Sequence, residues 1–92
     1  MQGKIERSRE IIAEKLDLPK DIVLNVPKIT IIGNDEITIE NHKGIVLFDR
    51  NSIKVNTKVK VINIEGENFE ILYIGDSTIT ISGKFRSISY EV

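Results

Sequence analysis

The sequence has 92 residues, and its 13 Lys and Arg against 14 Asp and Glu give a formal net charge of −1. This length predicts one small domain, and the balanced charge provides no general attraction to nucleic acid. Because cysteine is absent, disulfides, thiolate metal sites and cysteine nucleophiles are excluded. The first residues, MQGKIERSRE, are too charged for a signal peptide. No apolar run approaches the ~18 residues of a membrane span, so we expect a soluble, cytoplasmic protein.

An amphipathic α-helix is predicted over residues 4–17, within an N-terminal segment spanning 1–17. Ile5, Ile12 and Leu16 fall at spacings of seven and four residues, which places them on one side of a helix. Such a helix is marginal alone and needs a partner surface for its apolar stripe. These three residues are therefore candidate interaction residues, either with the chain's own β domain or with another chain.

A connector bracketed by two prolines follows at residues 18–27. Pro19 ends the helix because the residue before a proline is disfavoured in the helical conformation. Pro27 precedes the first alternating run of apolar and polar residues. Residues 28–92 then form the predicted β domain.

Short alternating runs in this region predict eight strands. Ile37 and Ile39 alternate with polar residues, as do Ile79 and Ile81, which is the period of a strand with one buried face. The predicted strands cover 28–33, 36–41, 44–49, 52–56, 59–65, 68–74, 77–82 and 85–91. Turn-forming residues separate them, and there is no room for the crossovers of parallel pairing. This pattern favours an all-β antiparallel sandwich or barrel over a β-solenoid, because the turns are unequal and no coil motif recurs.

Two runs are apolar on both alternating positions. They are IVLF at 45–48 and FEILYI at 69–74. Because strands covered on both faces read as continuous apolar runs, we predict that both lie at the centre of the structure.

His42 is the only histidine and the first candidate for chemistry. Imidazole titrates near neutrality and can act as a general base or metal ligand, with Glu40 and Asp49 as the nearest acids in the sequence. However, Asn-His-Lys-Gly at 41–44 fits a type I turn with glycine at its fourth position. We therefore expect a hairpin here, with His42 displayed at its exposed tip.

Lys54, Lys58 and Lys60 are the second candidate group. They form either a docking patch for an acidic protein, lipid head groups or nucleic acid, or the protection of an edge strand against association. The acidic residues lack the spacing of an EF-hand loop, and no phosphate-binding loop or serine nucleophile elbow is present. We predict no catalytic, metal-binding or cofactor-binding residues.

Two long stretches carry a family resemblance. Residues 18–45, LPKDIVLNVPKITIIGNDEITIENHKGI, combine the motifs LPxD, PxIT-xIG and IENHxG, and residues 62–90 end in ISGKFRSISY. Together they resemble the YabP/YqfC family of sporulation proteins, and its YqfC branch in particular. The resemblance implies a small immunoglobulin-like β-sandwich, here preceded by the N-terminal helix. It also implies synthesis in the mother cell of an endospore-forming bacterium and a role in spore formation, without catalytic residues.

The leading hypothesis is a non-enzymatic sporulation protein that binds another protein or a second copy of itself. The resemblance implies a membrane-anchored sporulation protein, encoded by a neighbouring gene, as the partner. Through it the chain would lie at the forespore-facing membrane. Two alternatives stay open: a small ligand-binding domain or enzyme that uses residues 40–44, and a self-assembling β scaffold.

Overall fold

The computed structural model describes residues 24–92, which contain six β-strands. The strands are β1 (Lys28–Ile32), β2 (Glu36–Glu40), β3 (His42–Phe48), β4 (Ser52–Thr57), β5 (Ile62–Ile74) and β6 (Thr78–Tyr90). All neighbouring strands are antiparallel, and their order across the sheet is β1-β2-β6-β5-β4-β3. The described part of the chain is therefore all-β.

The predicted immunoglobulin-like sandwich is wrong. A sandwich consists of two separate sheets, whereas these six strands form one continuous sheet. Continuity arises because β5 and β6 are each 13 residues long and pair with each other along most of that length. The predicted helix and residues 18–23 of the connector lie outside the described residues.

The prediction of eight strands is also wrong, because two predicted turns lie inside strands. The segment EGEN at 65–68 belongs to β5, and SGK at 82–84 belongs to β6. Register shifts occur between Glu65 and Gly66 and between Glu67 and Glu70. A bulge inserts a residue and bends a strand without ending its pairing. The same residue types that predict turns therefore bend two long strands.

The bend divides the sheet into two half-sheets. The first half-sheet consists of β1, β2, residues 78–82 of β6 and residues 70–74 of β5. Residues directly opposite each other on antiparallel strands share a face, and two isoleucine rows cross this half-sheet in register. The rows are Ile29–Ile39–Ile79–Ile74 and Ile31–Ile37–Ile81–Ile71. The other face carries threonines, and the hydroxyl oxygens of Thr38 and Thr80 are 3.0 Å apart.

The second half-sheet consists of β3, β4, residues 62–65 of β5 and residues 87–90 of β6. Its apolar rows are Phe48–Ile53–Ile64–Ile88 and Ile45–Val55–Ile62–Tyr90. In all four rows the two middle residues are fully buried, and these residues belong to one core cluster. A single cluster can include both half-sheets only if the sheet folds so that they face each other. Burying each of these side chains contributes about 1.5–3 kcal/mol, so the rows dominate the stability of the fold.

Phe69 fills the corner at which the sheet bends. Its ring is buried and stacks on Phe85, with ring centroids 5.2 Å apart. Two glycines make room for this ring and for the backbone around it. A Cβ atom at Gly66 would overlap the carbonyl oxygen of Lys84, and one at Gly83 would lie 2.6 Å from Phe69 Cδ1. The corner therefore requires glycine at both positions.

Candidate functional site

His42 begins β3, in the segment that passes from the first half-sheet to the second. Its neighbour Asn41 has a φ of 65°, and the Asn41 side-chain amide donates to the Val26 carbonyl with an Nδ2–O distance of 3.0 Å. The His42 backbone N–H donates to the Ser77 carbonyl at 3.1 Å. Because β2 and β3 are far apart in the sheet order, no hairpin joins them. The predicted 41–44 hairpin is therefore wrong, and Asn41 instead redirects the chain between the half-sheets.

The His42 side chain is buried rather than displayed, with 7% of its surface exposed. Its Nδ1 accepts a hydrogen bond of 2.9 Å from the Gly44 N–H, so the neutral ring carries its proton on Nε2. Among the described residues, Nε2 has no hydrogen-bond partner. Burial lowers the pKa of His42 because the charged ring would lose its hydration. This placement does not favour a general base, since a substrate must come within hydrogen-bond reach of the ring.

We predict that mild acid destabilises the fold through His42. Its pKa in the folded state lies below the ordinary value of 6.5, so the unfolded chain binds the proton more readily. The contribution of His42 to the free energy of unfolding is therefore nearly constant above about pH 6.5 and falls below it, by up to about 1.4 kcal/mol per pH unit, until the pH passes the folded-state pKa. Urea unfolding between about pH 5.5 and 7.5 measures this effect.

The control is His42→Gln, which removes the titrating group, and its stability should change less over the same range. Because the chain has a single histidine, its ring resonances can also be followed without ambiguity by NMR. Equal pH dependence in the two proteins would contradict the prediction.

The three candidate lysines do not line an edge strand. The interpretation of a lysine-protected edge is wrong, because β4 lies between β3 and β5 and Lys58 and Lys60 lie in the loop after it. Lys54 Nζ pairs with Glu91 Oε1 at 2.9 Å, and Lys58 Nζ donates to the Leu24 carbonyl at 2.9 Å. Lys54 and Lys58 thus each contact one end of the described chain, and Lys60 remains an exposed candidate.

The other candidate residues, Ile5, Ile12 and Leu16, lie outside the described residues. Within residues 24–92, no group of three or more His, Asp or Glu side chains is arranged to hold a metal ion. No helix in this part of the chain is long and apolar enough to cross a membrane.

Two groups of exposed apolar side chains lie on segments that the sequence predicted to be central strands. That assignment is wrong, because β3 is an outermost strand and the described residues pair with residues 71–74 of β5 on one side only. The exposed side chains are Val46, Leu47 and Phe48 on β3, and Ile71, Leu72, Tyr73 and Ile74 on β5. A run that is apolar on both faces needs two covering layers, and the folded sheet supplies one. The two apolar runs are the sequence signal from which these surfaces could have been predicted, because a domain with few strands cannot cover both faces of each run.

A sequence profile of the YabP family matches residues 24–92, which include all six described strands. The chain therefore belongs to the YabP family, and the resemblance seen in its motifs is confirmed. It is 32% identical over 90 residues to "Uncharacterized protein YqfC" of Bacillus subtilis (strain 168), an alignment that covers 98% of this chain and 97% of that protein. No solved structure shows significant similarity to the chain. Membership of the family suggests a sporulation-related protein.

Proposed function

We propose that this chain is a sporulation protein that acts without catalysis, by binding a protein partner along the outer edge of β3. Family membership supports the role in sporulation. The observation that carries the binding role is the position of β3, which is outermost in the sheet and exposes three consecutive apolar side chains. An edge strand offers backbone N–H and C=O groups with which an extended partner segment can pair. Burial of the apolar side chains adds to the affinity.

The β3 edge is apolar on both of its faces. Leu47 is opposite Lys54, on the outer face, whereas Phe48 is opposite the buried Ile53 and is directed toward the core side. The register between β3 and β4 shifts on both sides of Ile45, and a bulge of this kind re-aims the side chains next to it. A partner segment added at this edge would therefore meet apolar contacts on both faces, which favours an alternating or fully apolar strand.

The proposed partner is the membrane-anchored sporulation protein that the family resemblance implies as the product of a neighbouring gene. The chain would act in the cytoplasm of the mother cell and reach the forespore-facing membrane through this partner. A strand-pairing interaction explains how a small domain could be recruited without a membrane segment of its own in residues 24–92.

The experiment compares two exposed valines of nearly equal accessibility. Val46, on the β3 edge, is 60% exposed, and Val59, in the loop after β4, is 57% exposed. Tagged wild-type protein, Val46→Lys and Val59→Lys are recovered from sporulating cells, and the co-purified membrane protein is quantified by immunoblot. We expect Val46→Lys to recover at least about tenfold less, which corresponds to about 1.4 kcal/mol, and Val59→Lys to match the wild type.

Equal recovery with both variants would contradict binding at β3, and failure to recover the membrane protein with the wild type would contradict the choice of partner. Melting temperatures of the purified variants verify that both fold. Counts of heat-resistant spores from the same strains test the sporulation role itself.

A self-assembling scaffold is the second candidate, because the exposed apolar edge of β3 could also pair with a second copy. Sedimentation of the wild type and Val46→Lys over a range of concentrations distinguishes the two. Concentration-dependent growth in mass that Val46→Lys abolishes would favour self-assembly over a separate partner.

A further inference from the structure

Residues 86–90 of β6 have an open edge on the side away from β5. On that side β2 pairs with β6 only at residues 78–82. The turn after β1 extends the contact no further than Phe85, whose N–H donates to the Asn34 carbonyl at 3.0 Å. Beyond Phe85, the described part of the chain pairs with β6 only through β5. We call residues 86–90 the β6 edge.

The backbone of the β6 edge is available for pairing. The Glu91 N–H donates to the Val61 carbonyl at 2.8 Å, in the ladder that places Tyr90 opposite Ile62. In an antiparallel ladder, pairs that exchange hydrogen bonds alternate with pairs that do not. The N–H and C=O groups of Ile88 and Tyr90 therefore point away from β5, where an added strand can bind them.

A groove with an unpaired charge lies beside the β6 edge. Its volume is about 200 Å³, and its lining includes the apolar side chains of Ile31, Phe85 and Ile88 together with Arg86. Arg86 is exposed and forms no ion pair with any residue of the range 24–92. Because guanidinium groups bind carboxylates by charge-assisted hydrogen bonds, the groove suits an apolar side chain that is accompanied by an acidic one.

A second open edge has this composition. Residues 70–74 of β5 pair with β6, whereas β4 pairs with β5 only at residues 62–65. The four apolar side chains at 71–74 are all exposed. Glu70 and Asp76 flank them, are exposed as well, and form no ion pair with a described residue. We call residues 70–74 the β5 edge.

We propose that copies of this chain associate head to tail, with the β5 edge of one copy added as a strand to the β6 edge of the next. An apolar side chain of the β5 edge enters the groove, and a flanking carboxylate pairs with Arg86. This contact goes beyond the partner-binding role of β3, because it uses two other edges and leaves β3 open to a different protein.

The charges favour this contact over one between two β5 edges. A two-fold contact joins the same patch of both copies, so antiparallel pairing of Ile71 with Ile74 would bring Glu70 of one copy close to Asp76 of the other. Residues 66–83 contain no Lys or Arg to balance them, and like charges suppress association. The contact between the β5 and β6 edges pairs acid with base instead. Because it joins unlike surfaces, it produces rings or filaments.

The test uses the full chain and one substitution on each edge. Leu72→Lys places a charge on the β5 edge that repels Arg86, and Arg86→Glu reverses the charge of the groove. Val46→Lys, on β3, is the matched control, because Val46 and Leu72 are 60% and 56% exposed. Sedimentation velocity of each purified protein, from micromolar to millimolar concentration, measures the distribution of mass.

We expect the mean mass of the wild type and of Val46→Lys to rise with concentration. Leu72→Lys and Arg86→Glu should each need at least about tenfold higher concentration for the same rise, which corresponds to about 1.4 kcal/mol. An equimolar mixture of these two variants should form one-to-one dimers and nothing larger, because it combines one intact β5 edge with one intact groove. Such dimers also verify that both variants are folded.

Three results would overturn the proposal. A wild type that stays monomeric over the whole range would exclude the contact, and a mixture that forms no dimers would exclude its head-to-tail arrangement. Loss of association in Val46→Lys would assign self-association to β3 instead.

Discussion

Gly66→Ala is expected to destabilise this protein by at least about 3 kcal/mol, at the upper end of the usual effect of overpacking. The added Cβ would overlap the carbonyl oxygen of Lys84 and lie 2.9 Å from Phe69 Cζ. Neither atom can easily move. Lys84 is paired with Glu67 in the ladder between β5 and β6, and the Phe69 ring is stacked on Phe85. The strain falls on the corner that holds the two half-sheets together, so it affects the whole fold.

Gly33→Ala is the matched control for this substitution. Gly33 has a positive φ of 55°, and a Cβ there would meet nothing within 4 Å. Its substitution adds backbone strain of about 1–2 kcal/mol without a steric overlap. Thermal unfolding followed by circular dichroism should show a decrease in Tm of at least about 12 °C for Gly66→Ala and a clearly smaller decrease for Gly33→Ala. Equal decreases would mean that the corner can relax around a methyl group.

Ile79→Ala is the second substitution with a large expected effect, a loss of about 2–5 kcal/mol. Ile79 is fully buried and stands between Ile39 and Ile74 in one of the isoleucine rows. Removing most of its side chain leaves a cavity between the half-sheets that rigid β-strands cannot close. The expected loss is a large part of the total stability of a domain of this size, which is of the order of 5–15 kcal/mol.

Two further substitutions provide reference values for the effect of Ile79→Ala. Ile79→Val removes one methyl group and should decrease the free energy of unfolding by about 0.5–1.5 kcal/mol. Val59→Ala, at an exposed loop position, should change it by less than about 0.5 kcal/mol. Urea unfolding at equilibrium measures all three, with an unchanged denaturant slope as the check that the unfolded state is the same. If Ile79→Ala behaved like Val59→Ala, the two half-sheets would not enclose a common core.

The two exposed apolar surfaces have a common origin in the folding of a single sheet. A folded sheet covers the inner face of its middle strands and leaves its outer strands with an open backbone edge. In this chain the outer segments at β3 and at residues 71–74 of β5 are apolar on both faces. The β3 edge is the one at which we propose that a protein partner adds a strand.

The sequence motifs around His42 illustrate what local patterns can and cannot predict. The Asn-His-Lys-Gly segment contains a backbone reversal, and Asn41 does adopt a positive φ. Its role could not be predicted, because a turn in a hairpin and a passage between half-sheets require similar residues. The hairpin turn and the passage between half-sheets differ only in which strands pair with each other. The burial of His42 follows from that pairing, and so does the lowered pKa of its ring.

The sequence by itself determined the all-β character of residues 28–90, the identity of the inward-facing isoleucines and the family to which the chain belongs. These follow from the alternation of apolar and polar residues and from contiguous motifs, both of which are local properties. Only the tertiary structure decided that Gly66 and Gly83 bend strands instead of ending them, that one sheet folds on itself, and that IVLF and ILYI lie at edges. The reason is physical. The alternation of apolar and polar residues fixes which side chains of a strand face inward, whereas the identity of the neighbouring strands depends on pairing between residues distant in sequence. The ladder between β5 and β6 is such a pairing, and it converts two predicted hairpins into a single corner around Phe69.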